Sequence, residues 1–286
     1  RSTPLYSSAA SDVYKRQHRE NGLIVQWFTP SFGGGIPAYF NPQHTQFTLA
    51  QFLSFLFDPW TAILISMAIF SLIGYAACYA TAREILKLDW QSSLIGALLF
   101  STSGFYFQRM AAGHLGFQPY PLMAVVFYLL FSKRFTYWVR GLLIGLCITI
   151  IVFNGGFYLV VFLGFTFLLL FPIVLFIDES LVSTKQVFIT GLAGISASAV
   201  FSAGKIYAVL QFLEKFPRVL DNPQYSSLGA ALLGIFLQFV GIPLLLIPYM
   251  IFGGGSDSFV AMMLNRQAES GRYGIWELDA SLSPVL

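Results

Sequence analysis

The sequence predicts an all-α fold, a polytopic bundle of transmembrane helices with about six to seven membrane segments. Three observations carry that expectation. Hydrophobic residues make up 56% of the chain and charged ones only 10%, where a soluble domain carries roughly a quarter charged residues. Mean hydropathy is +0.70. Several apolar runs come near or exceed the roughly 20 helical residues that cross a hydrocarbon core, and short polar turns separate them. The net charge of +3 is too small to argue for nucleic acid, and no basic run with interleaved aromatics occurs. Cys78 and Cys147 both fall inside apolar runs and read as small buried hydrophobes. There is no CxxC, no His/Cys metal spacing and no cleavable signal peptide. No cofactor is expected, and a divalent metal is left open.

Residues 1–17, RSTPLYSSAASDVYKRQ, have no helical or strand period and do not lead into an apolar run. They resemble a translated sequencing-adaptor tail and are expected to be non-native. Residues 18–59 are expected to form a first extracytoplasmic loop with an interfacial helix. The core of that loop is Gln26-Trp27-Phe28-Thr29-Pro30-Ser31-Phe32-Gly33-Gly34-Gly35-Ile36-Pro37, followed by Asn41-Pro42-Gln43-His44. Three successive glycines permit positive φ and close backbone approach, and Pro30, Pro37 and Pro42 stiffen the turns. With no GK[ST] it is not a phosphate loop. A loop this long is usually functional or disordered, and its aromatic content argues against disorder. Residues 47–57 read as the interfacial helix, with Leu49, Phe52, Leu53, Phe55 and Leu56 on one side.

Residues 60–213 are expected to be a six-span helical membrane domain. The spans are 60–80, 92–107, 118–131, 138–153, 157–177 and 187–210. Arg83, Glu84, Lys87 and Asp89 make the first polar turn; Lys133, Arg134 and Arg140, then Asp178, Glu179 and Lys185, make later ones. All the cations in these turns fall on one side of the membrane, and Arg109 falls on the other. The positive-inside rule makes the first side cytoplasmic. The 18–59 loop, the Arg109/His114 loop and the Asn154-Gly155-Gly156 turn then share the outer face. Lys215, Arg218, Arg266 and Arg272 count against this orientation if they too lie outside. Residues 214–286 are expected to be an extracytoplasmic loop with a broken apolar segment, 228–252, interrupted by Gly241, Pro243 and Pro248. That segment reads either as a broken span or as two interfacial helices, and the chain is expected to be truncated after Leu286.

Three places carry groups that are expensive in or beside lipid. Arg109 and His114, with Gln108, sit at the mouth of the apolar hairpin formed by 92–107 and 122–131. Such a cluster lines a site; the plainer reading is an interfacial anchor, with Arg109 reaching head-group phosphate and His114 solvated. Lys205 stands inside the sixth span, where a lysine costs roughly 3 kcal/mol. It either snorkels to the outer end or needs an anion, a carboxylate or a lipid phosphate. Glu277 and Asp279 follow an interfacial Trp276 and read as functional carboxylates or as solvated acids.

Several phrases follow one pattern. Trp27-Phe28-Thr29-Pro30, Gly34-Gly35-Ile36-Pro37 and Asn41-Pro42-Gln43 are similar to a "WxP…GGxP…NPQ" outer loop. Ser101–Gly104 with Ala112-Gly113-His114 resembles "SG…GH", Lys205 through Phe216-Pro217-Arg218 resembles "K…FPR", and Trp276-Glu277 resembles a late "WxE". From about His18 onward the chain thus resembles an uncharacterised group of bacterial polytopic proteins within the GT-C-type glycosyltransferases, which use polyprenyl-phosphate-linked sugars. The resemblance implies a site on the extracytoplasmic face of the bacterial cytoplasmic (inner) membrane. It also implies a lipid-linked sugar donor, and a glycan, lipid or protein acceptor. A catalytic Asp is implied near the start of the first outer loop. Asp12 lies in the foreign-looking tail and Glu20 does not match, so the catalytic residue is unknown. The base is expected upstream of His18, and the chain as given is expected to be inactive. Lys205, Arg109 and His114 are the candidates for holding the donor phosphate, and Asn41, Gln43 and Glu277 for orienting acceptor or sugar hydroxyls. A multi-pass lipid or small-molecule transporter or flippase, with Lys205 as a substrate or coupling site, is the alternative; a structural membrane subunit is a third reading.

Overall fold

The structure, a computed structural model, describes residues 25, 27–29, 36–111, 113–176 and 183–215. The chain divides into Arg1–Phe216 and Pro217–Leu286, and every described residue lies in the first unit. The expectations for 1–17, for Gly33–Gly35, for 228–252 and for Glu277 therefore fall outside the described residues.

The described residues are predominantly helical. One small antiparallel pair, β1 (Phe28–Thr29) with β2 (Ile36–Pro37), sets Phe28 opposite Pro37 and Thr29 opposite Ile36. The expected interfacial helix is shorter than read: α1 covers Leu49–Leu53. A capping box starts it, with Gln51 N–H donating to Thr48 Oγ1 (3.3 Å) and Thr48 N–H to Gln51 Oε1 (3.1 Å). Helix α2 (Pro59–Ala80) begins where the Asp58 carboxylate accepts from Trp60 and Thr61 N–H, both at 3.1 Å, with Pro59 at the first helical position. It continues through a π-helical turn, Thr81–Ile85. Among the described residues, Pro59–Ile85 is the one unbroken helix that is both long and apolar enough to cross a bilayer.

Two of the expected spans are each two helices. The 92–107 run is α3 (Trp90–Ser101) and α4 (Gly104–Ala111). Its break follows Thr102, whose hydroxyl turns back to the Leu98 carbonyl at 2.8 Å. The 187–210 run is α8 (Thr184–Phe201) and α9 (Ala203–Lys215), bent by 72° at Ser202. A 3₁₀ turn, Leu115–Phe117, precedes the third expected span, of which only α5 (Leu122–Phe131) is helical. Ten residues of helix reach about 15 Å, half a hydrocarbon core. Helices α6 (Tyr137–Phe153) and α7 (Phe157–Phe176) follow the expected fourth and fifth spans closely.

Small residues decide the packing. A Cβ on Gly141 would lie 2.5 Å from Ala193 Cβ, one on Gly145 2.5 Å from Ala197 Cβ, and one on Gly194 2.5 Å from Ile144 Cγ2. Helices α6 and α8 thus meet backbone to backbone along a small-residue seam. Gly74 does the same for α2 against Pro121. Between these contacts lies an apolar core that includes Phe70, Val126, Ile144, Ile148, Ile151 and Leu159. Large apolar side chains also face outward, among them Leu72 on α2, Leu168 on α7, and Ile195 and Val200 on α8.

Arg140 is not on a solvated turn. It is buried in the first turn of α6, and its Nη1 donates to the Ser132 carbonyl and more weakly to those of Leu130 (3.4 Å) and Leu129 (3.5 Å). It therefore satisfies the carbonyls left open at the C-terminus of α5.

Candidate functional site

Helix α4 ends in a left-handed cap. Gly113 has φ +80°, its N–H reaches the Met110 carbonyl at 3.0 Å, and His114 N–H reaches the Arg109 carbonyl at 2.9 Å. That pair of bonds is the Schellman arrangement, which brings the side chains five residues apart onto one another. Here they are Arg109 and His114, with Nη1 3.3 Å from Nδ1. Arginine only donates, so this contact is bonding when Nδ1 carries no proton and the imidazole proton sits on Nε2. The guanidinium carbon lies 5.5 Å from the Phe105 ring centre and 5.2 Å from that of Phe117. Two aromatic faces thus hold the cation in place while leaving it charged. Arg109 Nε is buried and has no hydrogen-bond partner among the described residues.

Phe117 continues the layer. It stacks on Tyr158 of α7, with centroids 5.7 Å apart and planes 12° apart. The Tyr158 hydroxyl accepts from Gln43 Nε2 at 2.6 Å. Gln43 N–H donates to Asn41 Oδ1 at 3.0 Å, the turn that an Asn two residues earlier favours. Glycines let the three connecting segments touch directly. A Cβ on Gly155 (φ +76°) would lie 2.7 Å from the Gln43 carbonyl oxygen, and one on Gly156 2.7 Å from that of Gly116. Gln46 N–H also donates to the Phe153 carbonyl at 2.9 Å. The 38–48 segment, the 113–118 turn and the 154–156 turn therefore form one layer, all at the same end of the helices.

Lys205 lies beneath that layer. It is 0% exposed, in the first turn of α9 just past the Ser202 bend. Its Nζ donates to the carbonyls of Tyr39 (2.7 Å), Asn41 (3.0 Å) and His44 (3.3 Å) and stands 4.9 Å from the Tyr39 ring centre. Burial pushes the Tyr39 phenol above its ordinary range, and Trp27 meets its ring edge-on at 5.4 Å.

The structure thus brings together Arg109 with His114, and Asn41 with Gln43, and joins the two pairs through Phe117 and Tyr158. It gives Lys205 a partner that neither snorkelling nor an anion describes: backbone carbonyls that take all three N–H donors. Sequence reasoning missed Tyr158, Phe105 and Phe117, because an aromatic inside an apolar run carries no local mark of facing a site. Among the described residues, no three His, Cys, Asp or Glu side chains gather as a metal ion would require. No protein-family model, curated protein or solved structure matches the chain.

Proposed function

We propose that the chain forms part of a multi-pass membrane glycosyltransferase. It takes a sugar from a polyprenyl-phosphate donor and passes it to an extracytoplasmic acceptor at the outer face of the bacterial cytoplasmic membrane. One observation carries the reading: a half-buried Arg109–His114 pair, seated on aromatic rings, shares a layer with the amides of Gln43 and Asn41. As the glycosidic bond to a lipid phosphate breaks, negative charge grows on the phosphate oxygens. Arg109 and, in the tautomer protonated at Nε2, His114 are donors that would meet such charge as it develops. Gln43 and Asn41 supply amides able to orient sugar or acceptor hydroxyls. No residue of the chain is assigned as general base.

The membrane setting has its own support. The outward side chains of α2, α7 and α8 are large and apolar, as lipid contact requires. Trp60 begins α2, and Trp90 and Trp138 stand at the starts of α3 and α6, which lie at the opposite end of α2. Tryptophans favour the two interfaces, and the 22 residues of α2 span about 33 Å, close to a hydrocarbon core. In this frame α2, α6, α7 and the α8–α9 pair are the long segments. Helices α3, α4 and α5 dip in from either side to complete the six.

The 72° bend between α8 and α9 favours a second reading, a lipid or small-molecule transporter, since broken helices commonly line transport sites. The test uses the full-length protein in nanodiscs, titrated with undecaprenyl phosphate and with uncharged undecaprenol. Arg109→Gln and His114→Gln should each weaken phosphate binding by about tenfold or more, as loss of a charge-assisted hydrogen bond does, without changing undecaprenol binding. Unchanged phosphate affinity in both variants refutes the site. Transbilayer movement of the lipid without any sugar transfer supports the transporter.

A further inference from the structure

A lysine with no exposed surface needs three acceptors and a counter to its charge. Lys205 finds both in six consecutive residues, because the carbonyls of Tyr39, Asn41 and His44 converge on its Nζ and the Tyr39 ring faces it. Two successive turns aim those carbonyls inward: Asn41 N–H donates to the Ala38 carbonyl at 3.0 Å, and His44 N–H to the Asn41 carbonyl at 3.1 Å. The far side of the same curl carries the Asn41 side chain and Gln43, whose amide is held by Tyr158. The lysine's own position is fixed from below. Ser202, at the α8–α9 bend, donates to the Thr149 hydroxyl of α6 at 3.3 Å, three residues before Lys205.

We infer that Lys205 is a positioning residue, the pin around which residues 39–44 fold, and that it sets Asn41 and Gln43 against Tyr158 and the Arg109–His114 pair. The role of Asn41 and Gln43 rests on the proposed glycosyl transfer; the pin itself does not. Lys205 then holds no phosphate, because an incoming anion would have to displace a carbonyl from each N–H it used. The curl is in effect a receptor for a primary ammonium ion, filled from within the chain.

The experiment uses the full-length protein in nanodiscs and the Lys205→Ala variant, which deletes Cγ to Nζ. n-Propylammonium has the same three carbons and ammonium as the deleted atoms, and n-propanol serves as the uncharged control. Hydrogen exchange is read at the amides of Ala38, Asn41, His44 and Gln46, with those of α6 as reference for the rest of the fold. In Lys205→Ala the four amides should exchange at least tenfold faster while α6 keeps its protection. n-Propylammonium should restore them and n-propanol should not. Affinity for undecaprenyl phosphate in Lys205→Met should stay within threefold of the unmodified protein. The inference is overturned if the four amides are unaffected. It is overturned also if they speed up together with α6 and n-propylammonium restores nothing. A tenfold loss of phosphate affinity with unchanged exchange would make Lys205 an anion ligand instead. Failure of the unmodified protein to bind undecaprenyl phosphate refutes the glycosyl-transfer reading, and the exchange results then decide the role of Lys205 alone.

Discussion

Adding one methyl group at Gly145 should destabilise the fold, although alanine is the better helix former. In isolation Gly→Ala inside a helix is favourable by about 0.8–1.0 kcal/mol. At position 145 the new Cβ would lie 2.5 Å from Ala197 Cβ, 3.0 Å from Ser198 N and 3.1 Å from Gly194 O. Carbon pairs rest at about 3.5–4.0 Å, so α6 and α8 must separate by about 1 Å along a seam that Gly141 and Gly194 also keep tight. Overpacking of this kind costs about 1–3 kcal/mol, and looser packing along the rest of the seam adds to it. The net expectation for Gly145→Ala is a destabilisation of about 1–2 kcal/mol. Gly164 is the control, since a Cβ there meets nothing within 4 Å. Gly164→Ala should be neutral or stabilising by up to about 1 kcal/mol. The compensating pair Gly145→Ala with Ala197→Gly removes the carbon–carbon clash and should recover part of the loss, a coupling that a double-mutant cycle reads directly. Unfolding by sodium dodecyl sulfate in mixed micelles, followed by circular dichroism, measures the unmodified protein, Gly145→Ala, Ala197→Gly, the pair and Gly164→Ala. If Gly145→Ala is as stable as Gly164→Ala, the close approach of α6 to α8 is wrong.

Gly155→Ala should be harsher, because φ is +76° and the new Cβ would meet the Gln43 carbonyl at 2.7 Å. A destabilisation of about 2–4 kcal/mol is expected in the same unfolding assay. The bond from Gln46 N–H to the Phe153 carbonyl, two residues before Gly155, should open with it, which faster hydrogen exchange at the Gln46 amide would register. Hydrogen bonds from Ser92, side chain and backbone, and from Gln91 N–H hold the Asp89 carboxylate below its usual range. Its folded pKa is lowered, so its contribution is present above the unfolded value of about 3.9 and is lost as pH falls through the folded value. Asp89→Asn, also a good N-cap, should flatten the acid limb of stability against pH and leave neutral stability nearly unchanged; an unaltered limb would remove Asp89 from the account. In a background lacking Cys78 and Cys147, Leu56→Cys and Phe135→Cys, both on exposed positions, should label oppositely with an impermeant maleimide on intact cells. Labelling at position 135 alone inverts the proposed topology.

What the sequence made legible was local chemistry. The first span was read from Trp60, and α2 starts one residue earlier, at Pro59, with Asp58 as its cap. The run of apolar residues after Thr136 and after Gly156 gave α6 and α7 to within a residue or two. The Arg109–His114 pair was legible as a cluster because both groups are costly beside lipid; the Gly113 cap that brings their side chains together was not. The break at Thr102 was not legible either, because its mark is only a hydroxyl turned back to the Leu98 carbonyl, which many unbroken helices also carry. Nor was the bend at Ser202, because it carries no proline and its hydroxyl partner, Thr149, is far away in the chain. The α6–α8 seam escaped for the same reason. Gly141 and Gly145 are four apart on one face, but which helix they meet is a property of the fold.

Lys205 and Arg140 show why a rare buried cation is an ambiguous sign in this kind of chain. Both are nearly inaccessible, and both are answered by backbone carbonyls: Arg140 by those at the end of α5, Lys205 by those of the 39–44 curl. A chain with 13 acidic residues in 286 has few carboxylates to pair with its cations. Every residue, however, brings a carbonyl oxygen with two lone pairs, and helix ends and tight curls leave those oxygens open. Such acceptors have no signature in the sequence, so the insertion cost of a lysine predicts that it has a partner without predicting that the partner is a ligand. The cation to associate with an incoming anion is instead one whose charge is held by aromatic faces and whose donors are not all engaged. Arg109 meets that condition, with rings at 5.2 and 5.5 Å and a buried Nε that no described residue satisfies. If the proposed donor binds, its phosphate should therefore depend on Arg109 more steeply than on Lys205, an order that the two sets of variants test against each other.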